Sequence, residues 1–247
     1  MNHGIPKRLG KEPLIEALWE IRFTSEDGSV GEILPGLLYQ KLRDRYPKLE
    51  RLPAADIPRP IAEADPSLRY QATVRLHAPP FAVQIGAHAV SVTCAKPYSG
   101  WDAFHERIMD VATTLKATGL ASKPERFSLK YVNLLDLDPP PSLALLNVEL
   151  NVGGRSVERE PVHVRTELRD AECIHIIQIA APVQAAVGQA KPVTGVLIDL
   201  DTVVVLDPGS FWENLQPRLL AARTQSKKLF FRLLTEATLA RLEPEYE

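Results

Sequence analysis

The carboxylates best spaced for metal binding or acid–base chemistry are Asp199 and Asp201. Residues two apart in a strand point to the same face, so this pair could hold Mg²⁺ or act as acid and base. Glu167 is a candidate third ligand if its strand lies beside that of the pair. Because no motif adds a nearby lysine or histidine, we favour carboxylates on an exposed face and predict no metal site. A divergent metal-dependent hydrolase or nuclease is kept as an alternative.

Thiol and imidazole side chains are few. The two cysteines, Cys94 and Cys173, lack the CxxC spacing of a structural zinc site. His175 follows Cys173 by two positions and shares its strand face, but we do not expect a Cys–His nucleophile. The predicted hairpin would place His163 opposite Gln178 and not opposite His175, which disfavours a metal shared by two histidines. We expect two buried free thiols in a reducing compartment, and no cofactor.

Charged side chains alternate along two predicted strands. Glu16, Glu20 and Arg22 share one face of the first strand, and Arg126 and Lys130 share a face of a later one. If these strands pair, the charges form a cross-strand ladder worth a few tenths to about 1 kcal/mol per pair. We favour a solvated or salt-bridged sheet face. A polar groove that binds a partner or an anionic ligand, and a catalytic Glu16 or Glu20, are the alternatives.

Two further polar candidates, Tyr131 and Asn133, alternate in phase with Phe127 and Leu129. Asn133 is therefore expected on the apolar side of its strand. A buried amide needs hydrogen bonds, or its burial costs a few kcal/mol. We favour an amide that bridges to backbone at the strand end, with a side chain that lines a ligand cavity as the alternative.

Composition limits the partners that the chain can have. The 29 basic and 31 acidic residues among 247 give a net charge of −2, which provides no long-range positive field for nucleic acid. The polar N-terminus has no signal-peptide apolar region, and no run reaches the roughly 18 apolar residues of a membrane span. The segment at 152–155 lacks the Lys-Ser/Thr of a phosphate loop. We expect a cytoplasmic protein that binds neither membrane nor nucleic acid.

The first half of the chain, residues 1–138, is predicted to be β-α-β-β-α-β. Its predicted elements are a strand at 14–23, a helix from Ser29 to residue 46, strands at 68–77 and 81–95, a helix from Ser99 to a stop at Gly119, and a strand at 125–137. The proline-rich stretch 53–66 is predicted to be an irregular connector.

The second half, residues 139–247, is predicted to be strand-rich and to end in a long helix. The Asp-Pro-Pro-Pro-Ser segment at 138–142 marks the boundary. The second half is predicted to contain strands at 147–152, 162–168, 173–181 and 195–206, with a long hairpin loop at 182–194. It is predicted to end in a helix from Ser210 to Leu242 that Pro217 kinks or restarts. Short connections favour antiparallel neighbours, so we predict an α+β fold with helices on one side of the sheet, in one compact unit.

The chain resembles a sporadically distributed family of bacterial proteins without an assigned function. The resemblance covers nearly the whole chain, and the order of its segments is more specific than any one of them. Those segments are 13–23 (PLIEALWEIRF), 98–104 (YSGWDAF), 126–133 (RFSLKYVN), 198–201 (IDLD) and 231–236 (FRLLTE). The family's closing helix often has a Leu-His pair where this chain has Ala222-Arg223. The resemblance implies a bacterial, cytoplasmic origin and supplies no activity.

With no convergent catalytic motif, we favour a binding or regulatory protein that acts through a protein partner, such as the product of a neighbouring gene in the same operon. A homodimer is compatible with the sequence. The closing helix and the loops at 53–66 and 182–194 are the expected contact surfaces. The second hypothesis is a small-molecule binder with a cavity between the sheet and the C-terminal helix, lined by Tyr131 and Asn133.

Overall fold

The computed structural model of the protein describes residues 4–25, 28–137, 141–170, 172–185 and 191–246. The strands are β1 (Arg8–Leu9), β2 (Leu14–Thr24), β3 (Lys48–Arg51), β4 (Val74–Ala78), β5 (Phe81–Ile85), β6 (Ala89–Ala95), β7 (Lys123–Leu135), β8 (Asn151–Val152), β9 (Arg155–Ser156), β10 (Val162–Arg169), β11 (Ile174–Ala185), β12 (Val193–Val205) and β13 (Pro244–Glu245). The helices are α1 (Val30–Leu42), α2 (Arg59–Ala64), α3 (Trp101–Thr118), α4 (Phe211–Leu233) and α5 (Glu236–Arg241).

A nine-stranded antiparallel sheet combined with helices confirms the predicted α+β class. Its strand order is β10-β11-β12-β7-β2-β6-β5-β4-β3, and two small two-stranded sheets pair β1 with β13 and β8 with β9. Strand β2 has the predicted alternation: Trp19, Ile21 and Phe23 are fully buried, while Glu20 and Arg22 are half-buried on the other face. The apolar face fixes the register, because a slip of one residue would expose every aromatic side chain.

The chain divides into two units, each built from separate segments. The first unit comprises Met1–Ile15, Lys130–Thr202 and Leu220–Glu247, and the second comprises Glu16–Leu129 and Val203–Leu219. The boundary predicted at residue 138 falls outside the described residues, as do residues 186–190 of the predicted hairpin loop.

The second unit has its core between the apolar face of its strands and the helices α1 and α3. Phe104, Ile108, Val111 and Leu115 lie at the predicted helical spacing on α3, and all four are fully buried. Gly119 ends α3 in the left-handed conformation with φ +70, which confirms the predicted stop.

Residues 53–66 differ from the predicted irregular connector, since they contain a 3-10 helix at Pro53–Asp56 and the helix α2. The edge strand β3 precedes them and was not predicted. The prolines do not prevent these helices, because they occupy first-turn positions. A backbone N–H at such a position would have no acceptor within the helix, so its absence in proline costs no hydrogen bond. All four residues of β3 are exposed, so its sequence carries no alternation that would reveal a strand.

The first unit contains the hairpin β10–β11, its neighbour β12, and the end of the long C-terminal helix. The predicted single closing helix is two helices, since Thr235 caps the N-terminus of α5 by accepting a hydrogen bond from the Thr238 backbone. The apolar core is formed by residues of β11, β12, the 143–146 segment and the chain end, among them Ile177, Ile179, Ile198, Leu200, Leu234 and Leu242. The Thr238 hydroxyl donates to the Leu145 carbonyl at 2.7 Å, which ties α5 to this core.

The register of the β10–β11 hairpin places His163 opposite Ala180 and Arg165 opposite Gln178. The predicted partner of His163, Gln178, is therefore wrong by two residues. Asp170 N–H donates to the Cys173 carbonyl at 2.9 Å and closes the turn, which fixes the pairing of both strands.

Candidate functional site

The predicted charges of the second unit form one half-buried cluster on the polar face of β2 and β7. Arg22 Nε donates to Glu20 Oε1 at 2.6 Å, and Arg126 lies 3.8 Å from the same oxygen. The three side chains keep only 21–29% of their surface accessible. Of the five residues of the predicted ladder, this cluster contains Glu20, Arg22 and Arg126, and its two arginines converge on one carboxylate. Glu20 is therefore positioned as a counter-ion and not as a free general base.

Sequence reasoning missed the side chain that covers this cluster. Tyr70 follows the α2 segment, and the Arg22 guanidinium lies 4.0 Å from the centre of its ring. A guanidinium at this distance is attracted by the electron-rich ring face. The sequence predicted a strand at 68–77, but β4 begins only at Val74 and Tyr70 lies in the turn before it, so only the folded loop reveals the contact.

The predicted charges of the first unit form a separate ion pair. Lys130 Nζ lies 2.8 Å from Asp199 Oδ2, and Gln178 Nε2 donates to the same oxygen at 3.4 Å. Only 13% of the Asp199 side chain is exposed. The Asp199 carboxylate is therefore held by an ammonium and an amide, an arrangement that suits a structural or binding role.

The remaining predicted residues have different environments. Glu16 is exposed, Tyr131 is half-buried and Asn133 is 5% exposed on the apolar side of β7, as its phase predicted. The sequence left open whether Asn133 bridges to backbone or lines a cavity, and that choice stays a prediction.

The three carboxylates of the hydrolase alternative do not form a metal site. Asp199 and Asp201 share β12, but Glu167 is on β10, and β11 lies between those strands. The Glu167 carboxylate instead accepts a hydrogen bond from Arg165 at 2.8 Å on its own strand. In the part of the chain that the structure describes, the only trio of metal-ligand side chains is a different one, Asp170, Cys173 and His175.

This second trio lies where β10 turns into β11, on the face that carries the apolar core. The Cys173 sulfur is 3.4 Å from His175 Nε2, and Asp170 Oδ2 is 3.5 Å from the same nitrogen. The other ring nitrogen, Nδ1, lies 2.9 Å from the hydroxyl of the fully buried Thr202. The sequence placed Cys173 and His175 on one strand face, but Asp170 and Thr202 reach them only through the hairpin turn and the neighbouring strand.

Burial governs the protonation of this trio. It raises the pKa of the Cys173 thiol, and the carboxylates of Asp170 and Glu172 raise it further. Burial also lowers the pKa of His175, against an opposing effect of Asp170. Both shifts favour the neutral thiol and the neutral imidazole, so the pair lacks the thiolate–imidazolium character of an activated nucleophile.

A pocket of about 180 Å³ lies in the second unit, and the guanidinium of Arg69 in its wall is 5.7 Å from the ring of Tyr70. Its wall includes Gly31 at the start of α1, the charged side chains of Arg59, Glu63 and Arg69, and Thr73. It is small for a metabolite site, which usually measures about 300–1,000 Å³. Its location in the loops around α2 also differs from the cavity predicted beside the C-terminal helix.

Neither a protein-family model nor a curated protein matches the chain. Among the described residues, no helix combines the length and the apolar character that crossing a bilayer would require. The chemical character of the candidate sites therefore rests on their own geometry and charge.

Proposed function

We propose that this chain is a non-catalytic binding protein of the bacterial cytoplasm, that it belongs to the family it resembles, and that it acts through a protein partner. The observation that carries the proposal is the exposed edge of β10, which ends the nine-stranded sheet. All of the residues from Arg165 to Arg169 are exposed, including the apolar Leu168 at 46%. An open edge of this length can accept a strand from another chain.

The backbone groups available to such a strand follow from the hairpin. Because Asp170 N–H donates to Cys173, the even-numbered residues of β10 direct their backbone groups toward β11. The backbone groups of His163, Arg165, Glu167 and Arg169 therefore point away from the sheet. They are the donors and acceptors that an incoming strand would use.

The occupant that fits this edge is β10 of a second copy. In an antiparallel pair centred on Thr166, Arg165 of each chain faces Glu167 of the other, in hydrogen-bonded positions. Val164 then faces Leu168 in the closer, non-hydrogen-bonded positions, which buries the exposed Leu168. A shift of two residues places Arg165 opposite itself or Glu167 opposite itself, so like charges disfavour the neighbouring registers. A partner encoded in the same operon could use the same edge.

The main test is sedimentation of the full chain. We expect a concentration-dependent dimer that Arg165→Glu weakens by about 1 kcal/mol or more, roughly fivefold in Kd, because two attractive pairs become repulsive. The double variant R165E/E167R should restore the dimer, since it rebuilds both pairs with reversed polarity.

A backbone variant separates strand pairing from a side-chain effect. Glu167→Pro removes an N–H that points away from β11, so it should abolish the dimer while the hairpin remains folded. Glu167→Gln is its matched control, because it loses the same charge but keeps the backbone N–H. A wild-type chain that stays monomeric at high concentration would exclude the second copy. If Glu167→Pro also left binding of a co-purified operon partner unchanged, the β10 edge would be excluded as the contact surface.

A further inference from the structure

The trio at the β10–β11 turn is built like a set of metal ligands. Its three ligand atoms lie within 4.8 Å of one another, with the sulfur–nitrogen and nitrogen–oxygen separations at 3.4 and 3.5 Å. In a tetrahedral zinc site, bonds of about 2.0–2.3 Å place neighbouring ligand atoms about 3.3–3.7 Å apart. Two of the three separations already match this geometry.

The direction of these side chains argues against a catalytic relay. In a relay, the acid contacts one imidazole nitrogen and the nucleophile contacts the other. Here Asp170 and Cys173 both approach Nε2 of His175, whereas Nδ1 faces the Thr202 hydroxyl at 2.9 Å. A histidine that binds a metal through one ring nitrogen usually forms a hydrogen bond through the other, which fixes the orientation of the ring. The contact of Nδ1 with Thr202 fits this role and leaves Nε2 facing the other two ligands.

We propose that Asp170, Cys173 and His175 bind one borderline-soft divalent cation of the zinc type. Thiolate and imidazole ligands select such an ion over Mg²⁺ or Ca²⁺. When the cation binds, the Cys173 thiol releases its proton to solvent and the resulting thiolate sulfur coordinates the ion. Neither the β10 edge contact nor the identity of a protein partner is needed for this site.

The scaffold positions the ligands with little adjustment. Cys173 and His175 alternate on one strand face, and the turn hydrogen bond at 2.9 Å holds Asp170 opposite Cys173. His175 and Cys173 are 2% and 7% exposed, while 63% of the Asp170 side chain is accessible. The exposed carboxylate can move toward the other two ligands, and it marks the side from which an ion enters. The described residues supply three ligands, so the fourth position is left to water or to a partner's side chain.

The test uses the full chain, freed of metal by a chelator and titrated with Co²⁺ and Zn²⁺. We expect one ion per chain and the near-ultraviolet thiolate-to-cobalt absorption band. Cys94→Ser is the matched control, because Cys94 is also a buried free thiol but belongs to the second unit, and this variant should keep the band. Cys173→Ser should lose it.

Two milder variants keep the test valid if Cys173→Ser folds poorly. Asp170→Asn changes an exposed side chain and should keep the thiolate band, while Zn²⁺ affinity falls at least as far as the roughly 10–100-fold expected for loss of an outer-shell partner. Thr202→Val should weaken affinity by about 10–100-fold with the same stoichiometry. A wild-type chain without the band, a band that persists in Cys173→Ser, or an Asp170→Asn variant that binds Zn²⁺ as tightly as wild type would each overturn the proposal. The trio would then be a hydrogen-bonded cluster that holds the turn.

Discussion

Lys130 Nζ lies 2.8 Å from Asp199 Oδ2, and this contact joins two residues that are 69 positions apart (199 − 130). Lys130→Met leaves the carboxylate of Asp199, which is only 13% exposed, with Gln178 as its remaining polar partner. We expect the free energy of unfolding in urea to fall by about 1–3 kcal/mol, because a mostly buried charge loses its counter-ion.

The double variant K130M/D199N checks that this loss comes from the pair. It should be less destabilised than the sum of the two single variants, since neither charge is then left alone. Lys191→Met, at an exposed position, is the control and should change stability by less than about 0.5 kcal/mol. Strict additivity of the two single variants would contradict a direct interaction.

The contact between Arg22 and Tyr70 gives a second prediction. Tyr70→Leu removes the ring that the guanidinium approaches to 4.0 Å, and we expect a loss of about 0.5–1 kcal/mol in thermal or urea unfolding. Tyr70→Phe keeps the ring and should cost much less. Equal losses for Leu and Phe would show that the ring face is not what stabilises the loop.

The pH dependence of stability should include a contribution from Glu63. The hydrogen bond from His88 Nε2 at 2.8 Å lowers the pKa of the Glu63 carboxyl below its usual 4.5, and the charges of His88, Arg69 and Arg59 act in the same direction. A carboxyl whose pKa is lower in the folded state stabilises the fold above its unfolded pKa. That stability is lost as the pH falls through the lowered folded value.

Glu63→Gln removes this titration and should make the unfolding free energy less dependent on pH from neutral pH down through the acidic range. The difference between wild type and variant should be largest near pH 7 and should shrink on acidification. Parallel urea titrations at several pH values measure it. A constant difference at every pH would contradict the assignment to Glu63.

Two glycines provide a matched pair of substitutions. A Cβ at Gly86 would lie 2.5 Å from the Gln71 carbonyl oxygen, and that backbone cannot move away cheaply, so Gly86→Ala should destabilise by about 1–3 kcal/mol. A Cβ at Gly36, inside α1, meets nothing within 4 Å, so Gly36→Ala should stabilise by about 1 kcal/mol through helix propensity. Thermal melts of both variants should show shifts of opposite sign.

The parts of the fold that were predicted correctly have a local signal. Burial of one face of β2 forces Trp19, Ile21 and Phe23 to alternate with charged residues, so period two is visible in the sequence. The same holds for α3, whose buried residues recur at steps of three and four. Strand β3 has no such signal, since all its residues are exposed and its pairing with β4 alone defines it.

The same distinction between local and long-range information applies to the candidate sites. The sequence by itself determined which side chains share a strand face, such as Glu20 with Arg22 and Cys173 with His175, because that depends only on the two-residue period of a strand. Only the tertiary structure decided which faces meet. The position of Asp170 beside His175 depends on the hairpin register, the contact of Thr202 on strand order, and the contact of Tyr70 on the path of a loop. Each of these is set by packing between distant segments, which leaves no local pattern in the chain.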